Sequence, residues 1–101
     1  MNSITHKDKE HKPRCDLLVE YFPNAMLELA NICGFGAEKY GAHTWQTVSV
    51  EDYKAAMFRH AFKAEIEGDD KETKLPHECH VAWNALAMLE LYLTKGGLKD
   101  V

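Results

Sequence analysis

The stretch Ser49-Val50-Glu51-Asp52-Tyr53-Lys54-Ala55-Ala56-Met57-Phe58-Arg59-His60-Ala61-Phe62-Lys63-Ala64-Glu65-Ile66-Glu67-Gly68 decides the fold class. Ser49 with Asp52 three residues on resembles a capping box, good helix formers continue to Glu67, and Gly68 supplies a stop. On a helical wheel Tyr53, Met57, His60, Ala61 and Ala64 share an inner face, and Phe58 and Phe62 form a second apolar face. Arg59, Lys63 and Glu67 fall on the polar side. A helix with so much apolar surface needs other elements to pack against.

The flanking segments supply them. A first helix is expected to open at Pro23, a residue suited to the first helical turn, and to run toward Cys33-Gly34-Phe35-Gly36-Ala37-Glu38-Lys39-Tyr40-Gly41, whose glycines should kink or interrupt it. Met26, Leu29, Ala30, Cys33, Ala37 and Tyr40 give it one apolar stripe, with Glu28, Asn31 and Glu38 in a polar sector beside it. A third helix is expected from about Pro76 to Gly96-Gly97, with Lys95 in the last turn where the helix dipole favours a cation. That helix is apolar on nearly every side, which suits the middle of a bundle or a subunit interface. The reading is an all-α helical bundle of three main helices, completed by oligomerisation. Residues 12–101 are expected to form a single helical domain behind a flexible N-terminus, 1–11.

The 101 residues are 46% apolar and 28% charged, enough for a core of their own, although so short a chain gains by pairing with a second copy. A formal charge of -4 without a basic stripe argues against nucleic acid as a partner. No apolar run reaches the roughly 20 residues of a membrane span, and the polar start is unlike a signal peptide, so no membrane partner and a cytoplasmic location are expected. Cys15, Cys33 and Cys79 fit reduced thiols, with core filling as their ordinary use.

The polar residues of the third helix carry the chemistry. His77, His80 and Asn84 open a stripe that continues into Met88 and Leu91, and buried polar groups there need partners such as carboxylates, water or a metal. Glu67, Asp69, Asp70 and Glu72 cluster in the connection leading to His77, and a mixed carboxylate and histidine set suits a divalent metal. Each feature also has a plain structural reading. The acids alone describe a solvated turn, His77 can cap a helix N-terminus, and His60 can be a hydrogen-bonded core histidine. Trp45 can cover the end of the bundle or stack on a base. His77-Glu78-Cys79-His80 is not the zinc-protease motif, because its histidines are three apart rather than four.

Taken in order, Lys12-Pro13-Arg14-x-Asp16-Leu17, Phe35-Gly36-Ala37-x-Lys39-Tyr40-Gly41, Trp45, Arg59-His60, Gly68-Asp69-Asp70-x-Glu72 and Leu75-Pro76-His77-x-x-His80 resemble a family found largely in bacteriophages. It is the dATP/dGTP diphosphohydrolase family, similar in turn to the MazG-like all-α nucleotide pyrophosphohydrolases. The resemblance covers about residues 12 to 93. It departs where the family reads Asn-Trp and this chain has Thr44-Trp45, and where the family reads Glu-Ser-Gly and this chain has Glu72-Thr73-Lys74.

The resemblance implies cleavage of a purine deoxynucleoside triphosphate, dGTP or dATP, to the monophosphate and pyrophosphate. It further implies Mg or Mn held by helix carboxylates in a homodimer or larger bundle, working in phage nucleotide metabolism in the host cytoplasm. On that footing Glu38, Asp70 and Glu72 are the expected catalytic groups, and Glu38, Glu67, Asp70, His77 and His80 the expected metal ligands. Lys12, Arg14, Lys39 and Arg59 are the expected phosphate contacts, and Tyr40, Trp45 and Asn84 the expected base contacts. Two alternatives stay open: a metal phosphohydrolase of another kind, and a non-catalytic phage accessory or nucleotide-binding protein.

Overall fold

A computed structural model describes residues 12–95, which form four α-helices and one turn of 3-10 helix. The expected flexible segment 1–11 and the Gly96-Gly97 stop lie outside the described residues. In chain order the helices are α1 (Cys15–Tyr21), α2 (Pro23–Tyr40), α3 (Val50–Ile66) and α4 (His77–Lys95), with the 3-10 turn at Thr44–Thr47 between α2 and α3.

Helix α1 is an addition to the three helices expected. It stops at Phe22, which sits at φ -127°, ψ 45° because the ring of the following proline disfavours the helical conformation. Pro23 then starts α2 as its first residue. The glycines of α2 do not interrupt it: the helix runs unbroken through Gly34 and Gly36 to Tyr40. A helical glycine costs about 1 kcal/mol against alanine, too little to break eighteen residues that also pack on a neighbour. The stop comes at Gly41, whose φ of +103° an L side chain rarely adopts; a Cβ there would also lie 3.2 Å from Thr44 Oγ1.

The packed face of α2 also differs from the stripe expected. Ile32 is its buried residue and Leu29 and Phe35 are half-buried, while Met26, Ala30, Cys33, Ala37 and Tyr40 are exposed. Turning Ile32 and Phe35 inward removes more apolar area from water than turning in a row of small residues.

Helix α3 follows its capping signal, with Ser49 Oγ accepting from the Asp52 N–H at 3.1 Å. Its inner face is as expected: Tyr53 is buried, and Met57, His60, Ala61 and Ala64 are half-buried. Tyr53 joins Ala87 and Leu91 of α4 in the core, and Trp45, Val48, Trp83 and Met88 pack around them. α3 and α4 pair along most of their lengths, and α2 lies more lightly on α4.

Much apolar surface stays uncovered. Phe62 and Ile66 are 74% and 80% exposed on α3, and Leu86, Leu89, Tyr92 and Leu93 are exposed on α4. Among the described residues the all-round apolar α4 is therefore covered on one side only. The cysteines are free thiols, but Cys15 and Cys33 are exposed and only Cys79 is half-buried, so core filling does not describe the first two.

Candidate functional site

The segment between α3 and α4 is a folded-back loop rather than a loose acidic turn. Gly68 takes φ +76°, the Asp70 N–H donates to Leu75 O at 2.8 Å, the Lys74 N–H donates to Asp70 O at 2.8 Å, and the His77 N–H donates to Gly68 O at 3.1 Å. Lys74 sits at φ +66°, in the left-handed region. The loop thereby turns Asp70 and Thr73 back against α4. Asp70 Oδ2 accepts from the Thr73 N–H at 2.8 Å and from the Thr73 hydroxyl at 2.9 Å.

That hydroxyl has one proton, so with its proton on Asp70 it accepts from His80 Nε2–H at 2.7 Å and from the Leu75 N–H at 3.3 Å. His80 is thus held with its Nε2 committed to the loop. Burial pushes the Asp70 carboxyl up, but the two Thr73 bonds and the neighbouring His80 overcome this and hold it below the usual carboxylate range.

Three imidazoles gather beside this loop. His60 of α3 stacks on His80 with ring centroids 4.6 Å apart, and its Nδ1 lies 2.8 Å from Nδ1 of His77. His77 is fully buried, and its Nε2 lies 2.7 Å from Glu67 Oε2. The bond from His77 pulls the Glu67 carboxyl below its ordinary value, so Glu67 is an anion and accepts from His77 Nε2–H. Nδ1 of His77 then carries the lone pair and accepts from His60 Nδ1–H. Burial, reinforced by the neighbouring His80 and His77, lowers the His60 imidazole to about 4, and burial lowers that of His80 as well. Both rings are neutral near pH 7.

His60 and His80 of this cluster line a cavity of about 730 Å³ bounded by α2, the 3-10 turn, α3, the loop and α4. Arg59, Asp70, Glu72 and Thr73 are further polar residues of its lining; Tyr40, Trp45, Tyr53 and Trp83 are its aromatic ones. Trp83 meets Trp45 edge-on at 6.3 Å and Tyr53 at 5.8 Å, and its Nε1–H donates to Cys33 Sγ at 3.3 Å. The Tyr53 hydroxyl donates to Trp45 O at 2.6 Å, which fixes the 3-10 turn against α3. Trp45 accordingly both covers the end of the core and faces the cavity.

Of the residues expected at the site, Asp70, Glu72, His80, Arg59, Tyr40, Trp45 and Asn84 line the cavity. His77 and Glu67 stand behind it, joined to it through His60. Lys39 is tied to the lining by an ion pair with Glu72 across the gap between α2 and the loop, and its ammonium lies 5.0 Å over the Tyr40 ring. Asn84 is buried and donates to His80 O at 2.7 Å. Glu38, Lys12 and Arg14 are exposed and outside the lining; Arg14 instead grips Asp16 with two bonds of 3.0 and 2.9 Å, lowering that carboxyl to about 2.

The model of the family described as dATP/dGTP diphosphohydrolase, N-terminal, matches residues 2–101. The chain belongs to this family. A dATP/dGTP diphosphohydrolase of Salmonella phage PMBT28 is 36% identical over 61 residues, 59% of this chain and 21% of that protein. The chain thus spans about a fifth of the length of that curated relative. No solved structure matches the chain.

Both loop departures from the family's pattern, at Thr73 and Lys74, have a structural reading. Thr73, where the family reads Ser, keeps a hydroxyl at the point that joins Asp70 to His80. Lys74, where the family reads Gly, keeps the left-handed backbone that glycine adopts without strain. Thr73, Trp83 and Glu90, which also line the cavity, are not among the expected site residues, and His60 has the plainer expectation of a core histidine. Its place on the inner face of α3 and its place in the Arg59-His60 motif are the sequence signals for its position at the cavity.

Proposed function

We propose that this chain hydrolyses a purine deoxynucleoside triphosphate to the monophosphate and pyrophosphate in a metal-dependent reaction, as part of phage nucleotide metabolism in the host cytoplasm. The observation that carries the reading is one cavity whose lining combines aromatic side chains with a carboxylate, imidazole and guanidinium cluster. Its volume falls within the roughly 300–1,000 Å³ of ordinary small-molecule sites, and the two kinds of lining suit the two halves of a nucleotide. Family membership supports the same substrate class.

The donor set also fits a cation. Among the described residues the lining presents Asp70, Glu72 and Glu90 against Arg59, and Lys39 beside it is already paired with Glu72. A polyphosphate entering so anionic a wall needs compensating charge. Asp70, Glu72 and the imidazoles are the groups that would hold a divalent metal, which when bound neutralises phosphate charge and polarises a water. Arg59 and Lys39 bind phosphate oxygens, the latter by exchanging Glu72 for substrate. Glu72, released from Lys39, accepts a proton from the attacking water. The purine stacks on Trp45 or Tyr40. Glu38, Lys12 and Arg14, outside the lining, have no part in this version of the site.

The test is incubation of the purified chain with each common dNTP and NTP, in Mg²⁺, in Mn²⁺ and in chelator, followed by separation of products. Metal-dependent release of pyrophosphate with dGMP or dAMP is the expected result. Release of inorganic phosphate, or no turnover with any triphosphate, would overturn the reading. We further propose that a second copy covers the exposed apolar side of α4, giving a homodimer or larger assembly; a monomeric mass in light scattering at micromolar concentration would refute it.

A further inference from the structure

We infer that His60, His77 and Asp70 form a three-ligand site for a first-row transition-metal dication, with Glu67 orienting His77 from behind. The inference deepens the metal-dependent reading above and rests on it for its link to turnover. One ring nitrogen of each histidine and one carboxylate oxygen of Asp70 lie within 4.8 Å of one another. They come from three separate places, α3, α4 and the loop between them, and the fold brings them into one cluster.

The hydrogen bonds select these three over their neighbours. His77 gives its Nε2–H to Glu67, which leaves Nδ1 as a lone pair facing His60. A carboxylate behind the far nitrogen is the usual support of a metal-binding imidazole. His80 has its Nε2 committed to the Thr73 hydroxyl, so it braces the loop and stacks on His60 instead. Both Thr73 donors fall on Oδ2 of Asp70, which leaves that carboxylate a second oxygen to offer.

The two histidines need little adjustment, and the Asp70 oxygen, within 4.8 Å of both, closes on them as the ion binds. The two Nδ1 atoms are 2.8 Å apart, and two tetrahedral ligands each about 2.05 Å from an ion stand roughly 3.3 Å apart. Binding exchanges the His60–His77 hydrogen bond for two metal bonds: His60 moves its one ring proton from Nδ1 to Nε2, and no proton is lost. Two imidazoles and one carboxylate suit Mn, Fe, Co or Zn; Mg²⁺ keeps to oxygen ligands and its own waters. The three ligands leave coordination positions open for water or a phosphate oxygen.

The test uses the full chain, stripped with chelator and titrated with Co²⁺ alone, read by visible d–d absorption and by calorimetry. One Co²⁺ per chain is expected, displaced by Zn²⁺ and not by a large excess of Mg²⁺. Glu67→Gln should weaken binding about 10–100-fold, and His60→Gln and Asp70→Asn should weaken it further, with far-UV circular dichroism showing that each variant is folded. Because His77 is fully buried and its replacement can unfold the chain, the two more accessible ligands carry the test. Absence of Co²⁺ binding, binding unchanged in both His60→Gln and Asp70→Asn, or displacement by Mg²⁺ at comparable concentration would overturn the site. Triphosphate turnover in Mg²⁺ by a protein that fails this test leaves the hydrolase reading standing; Co²⁺ bound at these residues without any turnover leaves the site standing and removes the hydrolase.

Discussion

The Thr73 hydroxyl ties three parts of the loop together, so replacing it with the near-isosteric valine should be felt in both stability and ionisation. Thr73→Val removes the bond to Asp70 Oδ2, the bond from His80 Nε2 and the bond to the Leu75 N–H, but keeps the Thr73 N–H on Asp70. Hydrogen bonds to a charged group contribute about 1.5–3 kcal/mol and neutral ones about 0.5–1.5 kcal/mol. The His80 and Asp70 side chains are 12% and 18% exposed, so water recovers part of each loss. A net destabilisation of about 2 kcal/mol follows, equivalent to a fall in melting temperature of roughly 10 °C for a domain of this size. Thr73→Ser keeps the hydroxyl and should lose no more than about 1 kcal/mol, the contribution of one methyl group. Thermal melts of the three proteins, with the Asp70 carboxyl followed by NMR titration, make the comparison. In the valine variant that carboxyl should titrate at higher pH than in wild type. A valine variant that melts with the wild type, or a serine variant that melts with valine, would refute the role of the hydroxyl and with it the assigned tautomer of His80.

Lys74→Gly relieves a left-handed residue, φ +66°, and should stabilise the chain by about 0.5–1 kcal/mol in urea denaturation, while Lys74→Ala, which keeps the strain, should not. Gly34→Ala places a methyl where nothing lies within 4 Å and should add about 0.5–1 kcal/mol, seen as a higher melting temperature. In metal-free buffer, stability should fall on acidification from about pH 6.5 downward, before ordinary carboxylates titrate. His60 takes its proton near 6.5 when unfolded and only at about 4 when folded, so between those values the unfolded state binds more protons and loss of stability follows falling pH. The lowered carboxyls of Asp70 and Glu67 extend the same trend further into acid, and His60→Gln should flatten the upper part of the curve in denaturation midpoints taken from pH 7.5 to 5.

The helices were legible where the sequence carries local punctuation. Ser49 and Gly68 bracket α3, Pro23 opens α2 and Pro76 precedes α4, each through an effect within one helical turn. The errors came where local cost competes with packing. Gly34 and Gly36 suggest a kink or interruption, but their propensity cost is small beside the burial of Ile32 on the same helix. Seven residues of α1 show too little periodicity to be recognised. At the site, the stripe His77, His80 and Asn84 and the nearby acids were visible because they are close in sequence. The pairing of His60 with His77, of Lys39 with Glu72 and of Trp83 with Cys33 was not, since each joins separate elements whose angle no periodicity specifies.

The polar and the aromatic groups of the site consequently depend on different kinds of order. The polar cluster, from Arg59 through Glu67, Asp70, Thr73 and His77 to His80, belongs to the continuous hairpin of α3, loop and α4, the most closely paired elements among the described residues. The aromatic lining needs Tyr40 from α2 and Trp45 from the 3-10 turn as well, and α2 rests on α4 through a much smaller contact. The Tyr53 hydroxyl on Trp45 O, the Trp83 indole on Cys33 and the Thr44 hydroxyl on Tyr40 O help hold those aromatic residues in register. A loosening of α2 would therefore disturb the proposed base-binding residues and free Glu72 from Lys39, while leaving His60, Asp70 and His77 in place on the hairpin. Substrate that bridges Lys39 and Arg59 would work in the opposite direction, drawing α2 toward the hairpin as the Lys39–Glu72 pair exchanges partners.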